Sequence, residues 1–336
     1  MKNKRIAQAA EGRYFAGFDG ETVGVSLAGL AAELLGKQKK NWPALGEGYV
    51  ALEKSLTKEI DGGNWRVQIQ CNPRRIVSSG AKLDPEAIKR RPCFLCPENL
   101  PAAQEAILYR HDYNVLCNPA PIFPGHLTIA ARRHTPQSLL ENMDLLLLLA
   151  ADFGPGTTVF YNGPRAGASA PDHLHFQAAP SGLMPIEKEA LVQGRGADKK
   201  CIDGVEIFRT KGLARGVLLL RGAGDSAVIK AVERILRILG NRINASADEP
   251  PLNIFCTRTE GVWQLLLFPR LKHRPDAFFR EGERQLVVSP GAADMGGVIV
   301  APREKDFHAL TAEKVADIYR EVACDEALVG RLLAEL

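Results

Sequence analysis

The sequence predicts an α+β fold, short strands with helices laid against them, and three observations carry that expectation. Pro171–Ala179 alternates polar and apolar residues, the two-residue period of a strand with one buried face. Leu145–Ala150 is wholly apolar yet bounded by Asp144 and Asp152, which suits a buried helix and is far too short to span a bilayer. The second half repeats short apolar runs between turn residues, around one amphipathic segment at Ser226–Leu239.

Taken in order, residues 1–62 read as a helical N-terminal extension. Leu27, Leu30, Ala31, Leu34 and Leu35 follow helical spacing, as do Tyr49, Leu52, Glu53 and Leu56, and Asp61-Gly62-Gly63 ends the segment. Residues 63–198 hold the motifs. Trp65–Cys71 alternates as a strand and Asn72-Pro73 breaks it. Further strands are expected at Ile107–Tyr109, Asn114–Leu116, His126–Ala130 and Thr157–Tyr161. Thr135 as cap and Pro136 at the first helical position predict a helix over Gln137–Leu149. Residues 199–336 should contain strands at Val205–Phe208, Gly216–Leu220, Leu252–Cys256, Val262–Phe268, Gln285–Val288 and Gly297–Ala301, with closing helices from Thr311 and Asp325. The basic run Pro269–Pro275 could reach the phosphates of a substrate, although a solvated loop is the commoner case.

Composition narrows the class. A chain of 336 residues holds two domains or a duplicated one. A net charge of +4, without interleaved aromatic and basic patches, argues against nucleic acid and only weakly for phosphorylated substrates. Seven cysteines, an odd number that includes one CxxC, argue against a disulfide scaffold. The N-terminal residues lack the apolar core of a signal peptide. A cytoplasmic protein that neither spans nor binds a membrane is expected.

The chemistry centres on His173, His175 and Gln177. In a strand all three share one face, with Leu174, Phe176 and Ala178 in the core behind them. The loop Asn162–Ala170 just before is rich in glycine and small residues, so its backbone can approach a ligand and offer N–H groups to phosphate. Arg74 and Arg75 are forks suited to phosphate, although solvated surface arginines are the commoner case. Cys93 and Cys96, followed closely by Pro97, form a turn that can present two thiolates to a metal; a redox dithiol or two buried thiols remain alternatives. His134 lies at a strand-to-helix junction, where a ligand is held rigidly.

Pro-Gly-His-Leu-Thr-Ile at 124–129, Arg-His at 133–134 and His-Leu-His-Phe-Gln at 173–177 resemble the histidine-triad superfamily. Gln177 in the third triad position resembles its transferase branch: galactose-1-phosphate uridylyltransferase, diadenosine tetraphosphate phosphorylase and the GDP-hexose phosphorylases. The resemblance covers about Asn64–Ala179, and the second half is similar only in outline. It implies two related units with mixed or antiparallel sheets and flanking helices, the second unit degenerate. It implies His175 as nucleophile, forming a covalent nucleotidyl intermediate, and Gln177 as donor to a nonbridging phosphate oxygen. Asn162, Gly163, Arg165, Gly167, Ser169, His126 and Arg74 are then the expected substrate-binding residues. Cys93, Cys96, His134 and His173 are the implied ligands of a structural zinc. Ser169 lies one position away from the serine of the uridylyltransferase pattern, where Ala170 stands. The implied partners are a nucleotide sugar or dinucleotide polyphosphate, with phosphate or a sugar phosphate as acceptor, and a homodimer is compatible. The implied activity is nucleotidyl transfer or phosphorolysis. Dinucleoside polyphosphate phosphorolysis is one specific alternative, and a nucleotide-binding sensor without turnover is another.

Overall fold

The computed structural model describes residues 13–81, 84–193, 198–243 and 249–336. Its strands, in chain order, are β1 (Tyr14–Phe18), β2 (Leu56–Asp61), β3 (Arg66–Cys71), β4 (Ala106–Tyr109), β5 (Tyr113–Cys117), β6 (Leu127–Ala131), β7 (Thr157–Asn162), β8 (His175–Pro180), β9 (Lys199–Ile202), β10 (Val205–Arg209), β11 (Leu218–Gly222), β12 (Leu252–Thr259), β13 (Val262–Pro269) and β14 (Val298–Ala301). Eleven of them form one sheet in the order β1-β4-β5-β6-β8-β7-β12-β13-β11-β10-β9. A second sheet has the order β14-β3-β2.

The large sheet is one motif used twice. β4, β5 and β6 run as a meander, the helix Met143–Phe153 follows, and β7 and β8 complete the order β4-β5-β6-β8-β7. β9, β10 and β11, the helix Asp225–Arg242, then β12 and β13 give the same order, β9-β10-β11-β13-β12. The equivalent strands β7 and β12 pair antiparallel in the middle, from Asn162↔Asn253 to Val159↔Cys256. Almost every pairing is antiparallel. The exceptions are β1 with β4 and β14 with β3, so both sheets are mixed.

Alternation along the strands builds two cores. Ile129, Phe176, Ala178, Tyr161, Ile254, Leu265 and Leu267 point to one face, where the helices 143–153 and 225–242 and the leucines of Leu27–Asn41 cover them. Phe160, Phe255, Leu266 and Phe268 point to the other, packed against β3, β14 and the helix Ala312–Val322. In 225–242 the residues Val228, Ala231, Val232, Ile235, Leu236 and Leu239 are buried, the stripe expected of an amphipathic helix.

The sequence-based reading needs four corrections. The described part of the N-terminal segment is helical at Leu27–Asn41 and Pro43–Glu53, but strands flank the helices. β2 begins at Leu56, where helical spacing was expected to end, and its six residues pair with β3. Residues 1–12 of that expected extension lie outside the described residues. Gln285–Val288 is not a strand: the Val287 N–H goes to the Asp306 carboxylate and the Gln285 carbonyl to Arg303, so side chains replace a ladder. Thr135-Pro136 does not start the long helix, which begins at Met143 after a turn at Leu140–Asn142. The Thr135 carbonyl instead accepts from Leu174, and the Leu139 N–H is capped by Glu249. β8 starts at His175, so His173 stands just outside the strand it was expected to share.

Candidate active site

β8 sits between β6 and β7, with His175 opposite Ala130 and Gln177 opposite Thr128 and Phe160. Phe176 and Ala178 enter the helix-covered core, and His175 and Gln177 line a cavity of about 430 Å³ on the opposite face. The strand period read from sequence is therefore the observed one.

His175 is buried, and one ring nitrogen is committed: its Nδ1 lies 2.8 Å from the His173 carbonyl. A carbonyl only accepts, so Nδ1 carries the hydrogen and donates. Nε2 is left with its lone pair for the cavity. Burial is the largest influence on this imidazole and lowers its pKa to about 4, against the opposing hydrogen bond to His173. The ring is neutral at physiological pH, the state a nucleophile requires.

His126 does not line the cavity; it is fully buried behind Gln177. Its Nδ1 accepts the Ile122 N–H at 3.2 Å, so Nε2 carries the hydrogen and donates to Gln177 Oε1 at 2.7 Å. That bond orients the Gln177 amide, leaving its NH2 as the free donor. Burial and then the nearby Arg75 charge lower the His126 pKa to about 3, which keeps this donor–acceptor pattern fixed.

Of the other expected substrate residues, Asn162, Gly167, Ser169 and Arg74 line the cavity, whereas Gly163 and Arg165 do not. The Gly163 N–H is used by the Leu252 carbonyl, and Arg165 reaches outward to the Glu249 carbonyl. Asn162 Oδ1 accepts from Asn253 and from the Ala292 N–H, so it braces the two halves. Gly167 has a φ of +96°, and a Cβ there would meet Gly291 Cα at 2.4 Å, so only glycine fits. Its N–H points to His273 Nδ1 at 3.4 Å, not freely into the cavity. Arg74 is exposed and ion-paired with Glu47.

Arg75, paired with Arg74 in the sequence as a phosphate candidate, is in the wall, and so are Arg91 and Asp294, which the sequence did not mark. Arg75 is more enclosed than Arg74; its Nη1 donates to the Ala120 carbonyl at 2.9 Å and its Nε has no protein partner. Burial lowers its pKa to about 10, opposed by Asp294, and it stays charged. Burial pushes Asp294 up to about 6, against the N–H groups of Val300 and Gly291. Arg91 bridges the Ser169 carbonyl and the Asp172 carboxylate. The run Pro269–Pro275 is folded under the site, as in the less common of its two expected placements. Arg270 is fully buried and holds the loop through the Val322, Pro290, Lys272 and His273 carbonyls, while His273 and Arg274 reach the cavity wall.

Beside the cavity, Cys93, Cys96, His134 and His173 bring one donor atom each to within 4.8 Å of one another. A tight turn presents the thiols: the Cys96 N–H bonds the Cys93 carbonyl, and Asn99 bonds the same oxygen at 2.9 Å. His173 Nε2 donates to the Ala131 carbonyl at 2.7 Å, which fixes the tautomer and turns Nδ1 towards Cys93 Sγ at 3.2 Å and Cys96 Sγ at 3.6 Å. His134 Nδ1 lies 3.2 Å from Cys96 Sγ. Two sulfurs and two ring nitrogens, with a carbonyl behind the His173 imidazole, form a closed set able to hold a metal ion.

The fold and site together define a duplicated strand-and-helix architecture with one histidine-bearing cavity. It is the fold of yeast Ap4A phosphorylase Apa2 in complex with AMP, at a TM-score of 0.57 and 16% identity, covering 87% of this chain and 95% of that one. The fold expected from the histidine-triad resemblance is thus the observed one. Apa2 in complex with Ap4A aligns at a TM-score of 0.48 and 16% identity, over 85% of this chain and 97% of that one. An ADP-glucose phosphorylase from Arabidopsis thaliana with bound ADP-glucose aligns at 0.34 and 15%, over 81% and 100%. Residues 34–180 match a family described as a domain of unknown function, DUF4922. No curated protein matches the sequence. Among the described residues, no helix is long and apolar enough to cross a membrane.

Proposed function

We propose that this chain is a nucleotidyltransferase of the phosphorylase kind. It moves a nucleoside monophosphate from a nucleotide sugar or a dinucleoside polyphosphate to phosphate or a sugar phosphate, through a covalent nucleotidyl-His175. The observation that carries the reading is the His175 ring, neutral, with Nδ1–H held by the His173 carbonyl and Nε2 left for the cavity. Nε2 attacks the α-phosphorus: a P–N bond forms and the P–O bond to the leaving sugar phosphate or nucleotide breaks. An acceptor phosphate oxygen then attacks the same phosphorus, forming P–O and returning the electron pair to Nε2. Two displacements leave the enzyme unchanged.

Gln177, its Oε1 taken by His126, offers its NH2 to a nonbridging oxygen. An amide neither accepts nor delivers a proton, so the site does not activate water through it, which favours phosphate acceptors over hydrolysis. Arg75, Arg91 and Arg274 supply positive charge around the phosphates. The catalytic unit is the segment 63–198, and 199–336 is its degenerate counterpart.

The metal held by Cys93, Cys96, His134 and His173 is, in this reading, one structural zinc. Ligand atoms around tetrahedral zinc stand about 3–4 Å apart, and the sulfur–nitrogen approaches of 3.2, 3.2 and 3.6 Å fall in that range. Burial and the adjacent Cys93 push the Cys96 thiol up to about 12, and a divalent cation would offset that and hold both as thiolates. The ion would brace the turn before β8, two residues from His175.

The test is incubation with α-labelled nucleotide sugars and dinucleoside polyphosphates, with and without inorganic phosphate. An acid-labile, base-stable label on the protein, discharged by phosphate and absent from His175→Gly, is the expected result. Binding without any label would reduce the protein to a nucleotide sensor.

A further inference from the structure

β7 and β8 part company at the reactive histidine. Their antiparallel register runs from Thr157↔Pro180 to Phe160↔Gln177, and two more steps along it bring Asn162 opposite His175. The direct bond expected there, from the His175 N–H to the Asn162 carbonyl, is replaced by a side chain. Gln137 Oε1 accepts the His175 N–H at 2.8 Å, and Gln137 Nε2 donates to the Asn162 carbonyl at 2.9 Å and to the His175 carbonyl at 3.0 Å. A carboxamide has been spliced into the ladder, in the same donor–acceptor sense as the rung it replaces. The residue is 4% exposed, and its oxygen and both its hydrogens are used.

We propose that Gln137 is a positioning residue for His175: its amide spaces β8 off β7 at this one point and fixes the backbone that carries the imidazole. Three features require it. On its other side β8 keeps its ladder with β6, where Ala130 pairs with His175, so the widening is confined to the β7 side. Asn162 and His175, the two residues the amide separates, both line the cavity. Gln137 is itself held from the backbone: its N–H donates to the Pro171 carbonyl, and two residues earlier the Thr135 carbonyl accepts the Leu174 N–H at 2.7 Å. Residues 137–139, expected to begin the helix, stay outside it, and the chain there delivers this side chain.

The chemistry excludes close substitutes. A carboxylate at 137 would still accept from the His175 N–H but would face the Asn162 and His175 carbonyls without a hydrogen to give. Methionine would fill the volume and leave one N–H and two carbonyls unmatched. Either change lets β8 relax towards β7, and with it the His173 carbonyl that holds His175 Nδ1–H. A displacement on the order of 1 Å at a reacting atom costs about 100-fold in rate.

This inference rests on the nucleotidyl-transfer reading for its kinetic arm and on geometry alone for its spectroscopic arm. Gln137→Glu and Gln137→Met, in the full-length metal-loaded protein, are compared with wild type in two measurements. The first is single-turnover labelling of His175 by an α-labelled donor at varied concentration. The maximal rate is expected to fall about 100-fold while half-saturation changes less than about threefold, a split that loss of folded protein alone does not produce. The second is 15N NMR of the His175 ring, where the wild type should show a slowly exchanging Nδ1–H single tautomer and both variants should lose it. Variants that melt lower yet keep that tautomer and the wild-type rate per folded molecule would overturn the proposal. A wild type that never labels would sink the proposed function, and the ring spectrum would then decide the role of Gln137 by itself.

Discussion

The two units of the large sheet share a strand order and a helix position, yet one opens onto a cavity and the other is sealed. On β8 the face away from the helices carries His175 and Gln177; on the equivalent β13 it carries Leu266 and Phe268. On β6 that face shows Thr128 at the cavity, and on β11 it shows buried Leu219. The residue just before β6 is His126, and the one just before β11 is Val217. What fills the second face is the small sheet with the helix Ala312–Val322: Ile69, Met295, Ile299, Val315 and Ile318 share one core with Leu266 and Phe268. The first unit can spend part of that face on polar groups because β3 and β14 pack on Phe160 and Ala179 but leave His175 and Gln177 lining the cavity, whose wall includes Val300. From there β3 also leads into Arg74 and Arg75, and β13 into His273 and Arg274, so the sealed unit supplies walls to the open one.

The largest expected effect breaks the comparison at its centre. His175→Gly should reduce nucleotidyl labelling by more than about 1,000-fold while nucleotide binding persists, since the covalent step has no substitute nucleophile. A preformed nucleoside 5′-phosphorimidazolide should restore transfer to phosphate by occupying the space left. Near-normal exchange in this variant would mean a direct single displacement, and the two units would then differ in binding alone.

Next comes the metal. If the proposed zinc is bound, the wild type should carry about one per chain, and Cys96→Ser should drop it to a small fraction and lower Tm by ~10 °C or more, because a closed Cys2His2 site contributes folding free energy. Metal analysis of unchelated protein settles the first part and calorimetry the second. An unchanged Tm with the metal lost would show that the turn at 93–96 does not need it.

Paired truncations sharpen the face-by-face contrast. Phe176→Ala and Phe268→Ala should each cost on the order of 3–5 kcal/mol of stability, as both rings are fully buried, with activity per folded molecule retained for Phe268→Ala. Gln177→Ala should slow turnover by about 100-fold and cost less stability than either ring, about 1–3 kcal/mol for the His126 N–H it leaves unpaired. Equal losses of stability at 176 and 177 would contradict the assigned strand faces.

How much of this was legible follows from the range of each interaction. The alternation at 171–179 gave the two faces of β8 because it is local, whereas the four donor atoms of Cys93, Cys96, His134 and His173, which do meet, came as a set from the family resemblance and not from spacing. Helix 225–242 and strands β12 and β13 were readable from period alone. The sequence did not reveal Gln137, since its partners are the backbones of residues 162 and 175, and backbone partners leave no mark on composition. Pro269–Pro275 was left between two placements because a run of Arg, Lys and His looks solvated until Arg270 is seen to be saturated by four main-chain carbonyls and the Asn253 side chain. The segment 135–139 looked like a helix start because Thr-Pro is a fair cap. What overrides it is the Leu174 N–H taking the Thr135 carbonyl, a contact made across the sheet.

The smallest expected effect concerns the two residues that open the equivalent strands, His126 and Val217. Burial holds the His126 pKa at about 3, well under the usual 6.5. Between those values the unfolded chain binds a proton at this position and the folded chain does not. Stability from a neutral His126 is therefore complete above pH 6.5 and is lost as pH falls towards 3, at up to about 1.4 kcal/mol per pH unit. Asp294 and Glu249 act oppositely. Burial raises them to about 6 and about 7, so the folded chain holds their protons longer and stability falls as pH rises through that range. Their terms are shared by wild type and a His126→Gln variant, which keeps a donor for Gln177 Oε1 and cannot titrate. Urea unfolding of both proteins from pH 7.5 down to pH 5 should therefore show wild type losing stability faster below pH 6.5, by about 1 kcal/mol or more at pH 5.5. Parallel pH profiles would mean that His126 protonates in place, and then the fixed orientation of Gln177, which the apolar Val217 could never provide for the second unit, would not survive mild acid.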